Sequence, residues 1–360
     1  MGEIRGMAME HDVDQRLAAA IPMRRVGPLR FAGGDIKGEV TVPLATFESP
    51  LWPSVERGAA ATARGGGIAV RVLDERMCRS VAFEARDLAG AADAARFVEE
   101  SRDELAGVAA GTSRFARLLE VRAEVVGRLV FARFAFATGD ASGHNMATKA
   151  ADAMLGWILE RRGDCRYVSV SGNTCCDKKV SAVNGILGRG KRVVAEAFVP
   201  RRLVRRFLHA EPEDIERLAW RKNWVGSALA GSLRSANAHF ANMLLAFYLA
   251  TGQDAANIVE GSQGFALAEA EAEGLRFSCT LPNVIVGTVG NGKGLDWVRE
   301  NLEAMGCAEE GAAPGANARR LACICGGVVL CGELSLLAAL SNPGELIEAH
   351  MRLERGGGRG

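Results

Sequence analysis

Two glycine-rich stretches of this chain offer backbone amides to an anion. Gly185–Arg192, GILGRGKR, has the glycine and lysine spacing of a loop that cradles phosphates, but Arg192 stands where a Ser or Thr hydroxyl must hold magnesium. That mismatch argues against phosphoryl transfer. Gly287–Leu295, GTVGNGKGL, could approach a pyrophosphate, yet its glycines do not follow the fingerprint that joins a strand to a helix in a Rossmann unit. A dinucleotide could still bind there on another fold; taken alone, the stretch reads as a surface turn. The charged groups are equally plain in isolation. Asp177, Lys178 and Lys179 form a solvated turn, Glu48 is a loop acid, and His350 is a surface residue of the helix GELIEAHMRLERG. Nine cysteines lack CxxC pairs, and five histidines are not spaced with them as zinc modules require, so no metal is expected and the thiols should be reduced and mostly buried.

The elements that must position these groups change character along the chain. The first 80 residues mix turn glycines with short apolar runs such as EVTVPLATFESPLWP and read as extended segments and loops. From Arg86 to Leu118, Ala and Val recur at three- and four-residue steps, the period of an amphipathic helix facing a sheet. Leu119–Thr138 alternates apolar and polar residues around Gly127, as a half-buried hairpin does. A helix over NMATKAADAMLGWILERR and a short strand at Arg166–Ser171 follow, closing a small module near residue 170. Beyond it the chain reads as mainly helical: EPEDIERLAWRKN opens with acids that suit a helix N-terminus, and Gly226–Ala241 begins a small-residue helix able to pack closely. GAAPGAN is a loop and RGGGRG a frayed tail.

Composition bounds the possible functions. Forty-four basic against 43 acidic residues give a net charge of +1, too little global field to draw in nucleic acid or a membrane surface. The N-terminus is acidic where a secretory leader would be basic, which points to a cytoplasmic protein. The most apolar stretch, Ala322–Leu340, contains Glu333 and three glycines and reads as a buried core segment.

Taken together, PLATFES, SRFARL, GDASGHNM, GNTCCDKK, NAHFAN, GQDAA, SCTLPNVIVGTVGNG and CGELSLLAAL resemble the successive signatures of hydroxymethylglutaryl-CoA reductase, in family order from about Val26 to Met351. The resemblance implies a four-electron reduction of (S)-3-hydroxy-3-methylglutaryl-CoA to mevalonate and coenzyme A with two NADPH, in isoprenoid synthesis. It assigns catalysis to Glu48, Lys178, Asp254 and His350. Lys178 would stabilise the developing alkoxide, with Glu48 held protonated beside it as proton donor and Asp254 tuning both. His350, with an unperturbed pKa near ~6.5, would protonate the departing thiolate. The same motifs carry substrate binding to Arg79, Ser171, Asp177, Lys179, Lys222, His239 and Asn242, and cofactor binding to Asp140, Ser142, Asn145, Val289, Gly290 and Gly292. Ser113, Arg114 and Phe115 match the segment that lies against the ribose 2′-phosphate in NADPH-using members, which favours NADPH over NADH.

The implied fold is α+β. A large, mostly helical catalytic domain, residues 1–80 and 171–360 with a C-terminal flap at about 343–360, would receive an inserted ferredoxin-like, non-Rossmann cofactor domain at residues 81–170. The family also implies a homodimer or higher homo-oligomer with shared active sites. Departures from the pattern fall on the cofactor loops and the flap: Ser142 replaces a methionine, His144 another apolar residue, Asn291 interrupts a triple glycine, Glu56 replaces an asparagine, and RLERG follows His350. The rival reading is a diverged relative without turnover that binds coenzyme A or a nucleotide.

Overall fold

The computed structural model describes residues 19–348 and 351. Strands β1 (Met23–Gly34) and β2 (Gly38–Ala45) pair antiparallel, and Val40, Val42 and Leu44 of β2 are buried. Helix α1 (Leu51–Gly65) follows where extended chain was expected. Val55, Ala59 and Thr62 recur at helical spacing and are buried against the sheet, although two prolines at its start disguise the pattern. Strand β3 (Ile68–Glu84) is long enough to serve two sheets. Its first half runs parallel to β1 and antiparallel to β7 (Gly190–Pro200); its second half pairs antiparallel with β5. The polar run Asp74-Glu75-Arg76 marks the handover.

Beyond it lie α2 (Leu88–Glu100), α3 (Arg102–Thr112), the hairpin β4 (Arg117–Val126) and β5 (Leu129–Ala137), α4 (His144–Arg161) and β6 (Arg166–Ser169). The expected single helix over Arg86–Leu118 is two, broken at Ser101, and Asp87 caps the first by accepting from the Gly90 amide at 2.8 Å. Ala91, Ala94, Ala147 and Ala150 bring these helices close to Phe83, Phe134 and Phe136, and the group forms a hydrophobic core of its own.

The larger core lies under the other sheet, whose strand order is β2-β1-β3-β7-β10-β9-β8. After residue 171 the chain therefore supplies more strand than expected: β7, β8 (Ser235–Ala236), β9 (Gly264–Glu271) and β10 (Gly274–Val284). In β7 the buried residues are Val193, Ala195, Ala197 and Val199, a period of two that alanine's helix preference masks in sequence. Short helices α5 (Val183–Leu187), α6 (Arg201–Leu203), α7 (Pro212–Leu218) and α8 (Ser227–Leu229) precede α9 (Phe240–Ala250), α10 (Ile258–Gly261), α11 (Asp296–Ala304) and α12 (Ala316–Ser341). The small-residue helix expected over Gly226–Ala241 is broken. Asn237 turns its amide onto the Ser262 and Gly264 carbonyls and accepts from the Phe240 amide, ending one segment and starting α9.

Helix α12 is apolar and long enough to cross a membrane, but 94% of its most apolar window is buried inside the protein. It crosses α1 so closely that a methyl group on Gly58 would lie 2.0 Å from the Cys331 carbonyl oxygen. All nine cysteines are free, and only Cys176 is not fully buried.

Candidate functional site

The GNTCCDKK turn between β6 and α5 is folded around a buried guanidinium. Arg189, 1% exposed, donates to the Cys78 carbonyl at 2.7 Å and to Asp177 Oδ1 at 2.6 Å, and lies 3.5 Å from the buried Glu260 carboxylate. Burial raises the Glu260 carboxyl above its ordinary value, opposed by Arg189. Asp177 also faces Arg79 at 3.8 Å and His144 at 3.7 Å; burial pushes its carboxyl up, but Arg189, His144 and Arg79 more than reverse that. Held this way, the turn can place Asn173, Cys176 and Lys178 in left-handed backbone.

Lys178 then points its ammonium at Asp254, Nζ to Oδ2 2.5 Å, while its own amide donates to Glu260 at 3.2 Å. The hydrogen bond to Asp254 raises the Lys178 pKa. Burial would raise the Asp254 carboxyl, but the bonds from Lys178 and the Ala256 amide hold it below its usual range. The pair is charged at neutral pH, so Lys178 is a fixed, half-exposed cation. Arg79 reaches Ser171 at 3.4 Å and Thr148 at 2.6 Å, and Lys179 folds back on the Asp177 carbonyl. Arg79, Ser171, Asp177 and Lys179 thus belong to one cluster with Lys178 and Asp254.

Glu48 belongs to another. The loop between β2 and α1 places it, half-buried, at a cavity of about 380 Å³ that His239, Asn242, Arg57, Leu51 and Leu336 also line. His239 stands at the start of α9, its Nε2 3.1 Å from the Gly332 carbonyl, and burial lowers its imidazole to about 4. Its amide and that of Ala238 donate to the two oxygens of Glu333, a carboxyl in the middle of α12 that burial raises to about 7. The exposed Lys222 acts on both groups by charge. Arg57 closes the cavity's rim, donating to Ser335 and pairing with Glu345. Among the described residues the ion-pair partner of Lys178 is Asp254, and Glu48 lines a cavity with His239 and Asn242 that Lys178 does not line. His350 and most of the flap lie outside the described residues.

The glycine-rich stretch 287–295 is a loop sewn to both neighbours. Gln253, next to Asp254, accepts from the Gly287 amide at 2.9 Å and donates to the Gly287 carbonyl at 3.0 Å. Gly252 and Gly292 pack so tightly that a methyl on either would lie 2.5 Å from the other's carbonyl oxygen. Lys293 donates to the Gly252 carbonyl, and burial lowers its ammonium to about 8. On the other side Val289 bridges to Ala141, and the Thr288 amide donates to the Asp140 carbonyl at 2.8 Å. The Asp140 carboxylate is occupied structurally, accepting from the Gly315 and Ala318 amides at the start of α12. Ser142 and Asn145 flank the entry to α4, Asn145 exposed, while Gly290 and Gly292 take positive φ in the loop. After α3, Ser113 turns the chain by accepting from the Phe115 amide, and the exposed Arg114 lies 4.7 Å from the Phe115 ring centre. That ring would touch a side chain at Gly139, so the segment borders the Gly139–Gly143 strap.

GILGRGKR makes no phosphate cradle: it is split between α5 and β7, Lys191 is buried, and Arg192 donates to the Gly185 carbonyl. Sequence reading missed Arg189, Glu260, Gln253 and Glu333. Arg189 lies inside the rejected phosphate motif, and nothing in its spacing distinguishes a buried hub from a surface arginine.

The family model for hydroxymethylglutaryl-coenzyme A reductase matches residues 18–355. The chain belongs to that family. The reductase of Pyrococcus horikoshii is 45% identical over 337 residues, covering 93% of this chain and 81% of its own length. That of Aeropyrum pernix is 42% identical over 356 residues, covering 99% and 83%. The class II reductase of Streptococcus pneumoniae, solved bound to NADPH in open conformations, superposes with a TM-score of 0.70 at 20% identity, over 90% of this chain and 86% of its own. The mixed α+β fold is therefore that of the class II reductases. No group of His, Cys, Asp and Glu able to hold a metal occurs among the described residues.

Proposed function

We infer that this chain reduces (S)-3-hydroxy-3-methylglutaryl-CoA to mevalonate, releasing coenzyme A, as the reductase family does. The observation that carries the reading is the Lys178–Asp254 pair at 2.5 Å, a cation fixed by a buried network on the turn that bears the family's DKK. NADPH supplies one hydride in each of two reductions. Lys178 stabilises the negative oxygen that forms when hydride reaches the thioester carbon, and again at the aldehyde carbon. Glu48, at the mouth of the cavity, gives that oxygen its proton. Between the two reductions the hydroxyl returns its proton to Glu48 as the carbonyl re-forms and the C–S bond breaks, and His350 protonates the departing thiolate so that it cannot return.

NADPH is preferred over NADH because Arg114 presents an exposed guanidinium on the turn beside the strap, where a 2′-phosphate would gain a charged hydrogen bond. Segment 81–170 is the inserted cofactor domain, ferredoxin-like rather than Rossmann; its separate core and the antiparallel β3, β4, β5 and β6 support this. The working form is a homodimer that completes each site across its boundary, a reading supported by Glu48 lining a cavity that Lys178 and Asp254 do not line. It acts in the cytoplasm on a small-molecule substrate.

The test is reduced-nicotinamide consumption with hydroxymethylglutaryl-CoA, using NADPH and then NADH, beside Lys178→Ala. Two NADPH per mevalonate, slowed on the order of 10³-fold in a folded variant, is the expected result. A folded wild type that consumes neither cofactor overturns it.

A further inference from the structure

His144 is a partly buried histidine that the reduction as described leaves idle. It opens α4 at the end of the Gly139–Gly143 strap, and its backbone is pinned: its carbonyl accepts from Thr148 Oγ1 at 2.9 Å, which in turn accepts from Arg79 at 2.6 Å. The ring, 16% exposed, stands between two polar groups. Nδ1 is 3.4 Å from Ser142 Oγ, on the strap; Nε2 is 3.7 Å from Asp177 Oδ1, the residue before Lys178. Nε2 is buried without a hydrogen-bond partner, just beyond bonding distance of the carboxylate it faces. Arg189, Lys178 and Asp254 also act on the ring by charge, and burial, then Arg189, lowers it to about 4. At neutral pH it therefore carries one N–H. With a charged carboxylate facing Nε2, that proton belongs on Nε2, which leaves Nδ1 to accept from the Ser142 hydroxyl.

We propose that His144 is a positioning residue for hydride transfer, coupling the cofactor strap, through Ser142, to Asp177 and so to the turn that aims Lys178. The inference rests on the functional reading above. Movement of the strap onto a dinucleotide draws the Nε2–H toward Asp177, and the Arg189 network carries the constraint to the lysine. An apolar residue of the same size fills the space but links nothing.

Three variants separate linkage from bulk. His144→Leu removes both nitrogens, His144→Gln keeps an N–H near the Nε2 position, and His144→Asn keeps a polar group only near Nδ1. In NADPH-dependent turnover, kcat should fall about tenfold in His144→Leu with the KM for hydroxymethylglutaryl-CoA within about twofold of wild type. His144→Gln should recover most of the loss and His144→Asn little. Nitrogen chemical shifts of the wild-type ring should report a neutral Nε2–H form. A His144→Leu variant with unchanged kcat, a His144→Gln variant no better than leucine, or a ring protonated on Nδ1 overturns the inference while leaving the reductase reading intact. An inactive wild type overturns both.

Discussion

The Lys178 turn and the Glu48 cavity solve opposite electrostatic problems. Around Lys178 the charges are paired: Asp254 on the ammonium, Arg189 on Asp177 and Glu260, Arg79 on the far side of Asp177, while Lys179 folds onto a backbone carbonyl. Around Glu48 apolar side chains share the cavity wall with an Arg57–Glu345 pair at the rim, and two deeper groups are driven toward neutrality, His239 to about 4 and Glu333 to about 7. A network of paired ions keeps Lys178 charged, while burial keeps the proton off His239 and on Glu333. One chain holds both environments by building them on different elements, and each can be disturbed without the other.

The turn should break hardest. Arg189→Met removes a buried cation and leaves Asp177 and the fully buried Glu260 without it, at a cost of about 3–5 kcal/mol. Thermal denaturation should show a large drop in Tm, and turnover should be lost with it. A variant as stable as wild type would mean that the turn does not depend on its hub.

The cavity side offers a test by pH. Glu333 has a folded pKa raised from 4.5 to about 7, so the folded state holds its proton more tightly than the unfolded chain. Its contribution is then least costly below pH 4.5, and stability is lost as pH rises toward 7, by on the order of 3 kcal/mol. Glu333→Gln cannot ionise. Whatever fixed cost the amide carries against the Ala238 and His239 donors, the stability of the variant relative to wild type should climb by that amount between pH 4.5 and 7. Denaturant melts of both proteins across that range would show it, and parallel curves would refute it.

Glu48→Gln sharpens the contrast from the chemical side. No side-chain hydrogen bond ties the Glu48 carboxyl among the described residues; only its backbone is held, by the Thr46 hydroxyl and the Leu51 amide. Loss of the acid should lower kcat about 10²-fold, with Tm unmoved. A variant that loses stability and keeps its rate would place Glu48 with the structural residues.

How legible this was in sequence follows the same divide. Residues that work in place, Glu48, Lys178 and Asp254, sit in motifs whose polar residues are contiguous, and their resemblance to the family could be read directly. Residues that hold them do so through burial, which spacing does not reveal: Arg189 looked like part of a phosphate loop and Glu333 like a break in an apolar run. The hairpin around Gly127 was plain because its alternation contrasts Phe with Arg and Glu. Strand β7 was not, because its inward Val and Ala residues alternate with Val194 and Phe198 as well as Arg192 and Glu196, which blurs the period of two, and the polar break at Asn237 lay inside an Ala-rich run. Asp140 shows the converse: it was legible as a site residue, yet its carboxylate is spent on capping α12.

The smallest effect concerns the rim. Arg57 binds Ser335 through its Nε at 3.0 Å and through Nη2 to the carbonyl at 2.6 Å, and its remaining nitrogen pairs with Glu345, whose other oxygen accepts from Asn342 at 2.8 Å. The pair is partly exposed, about a quarter on each side, so its worth is on the order of 1 kcal/mol and falls with salt. Arg57→Met keeps the stem against the cavity wall and removes the grip on the segment leading to His350. Because the cavity itself is formed by α1, α9 and α12, the variant should fold normally; what it loosens is the Glu345 segment at the rim. The KM for hydroxymethylglutaryl-CoA should rise a few-fold, about what 1 kcal/mol provides, and raising the salt concentration should bring wild type toward the variant. If KM is unchanged and only Tm falls, the arginine is a strut of the pocket wall, and cavity and turn are alike in being fixed frames.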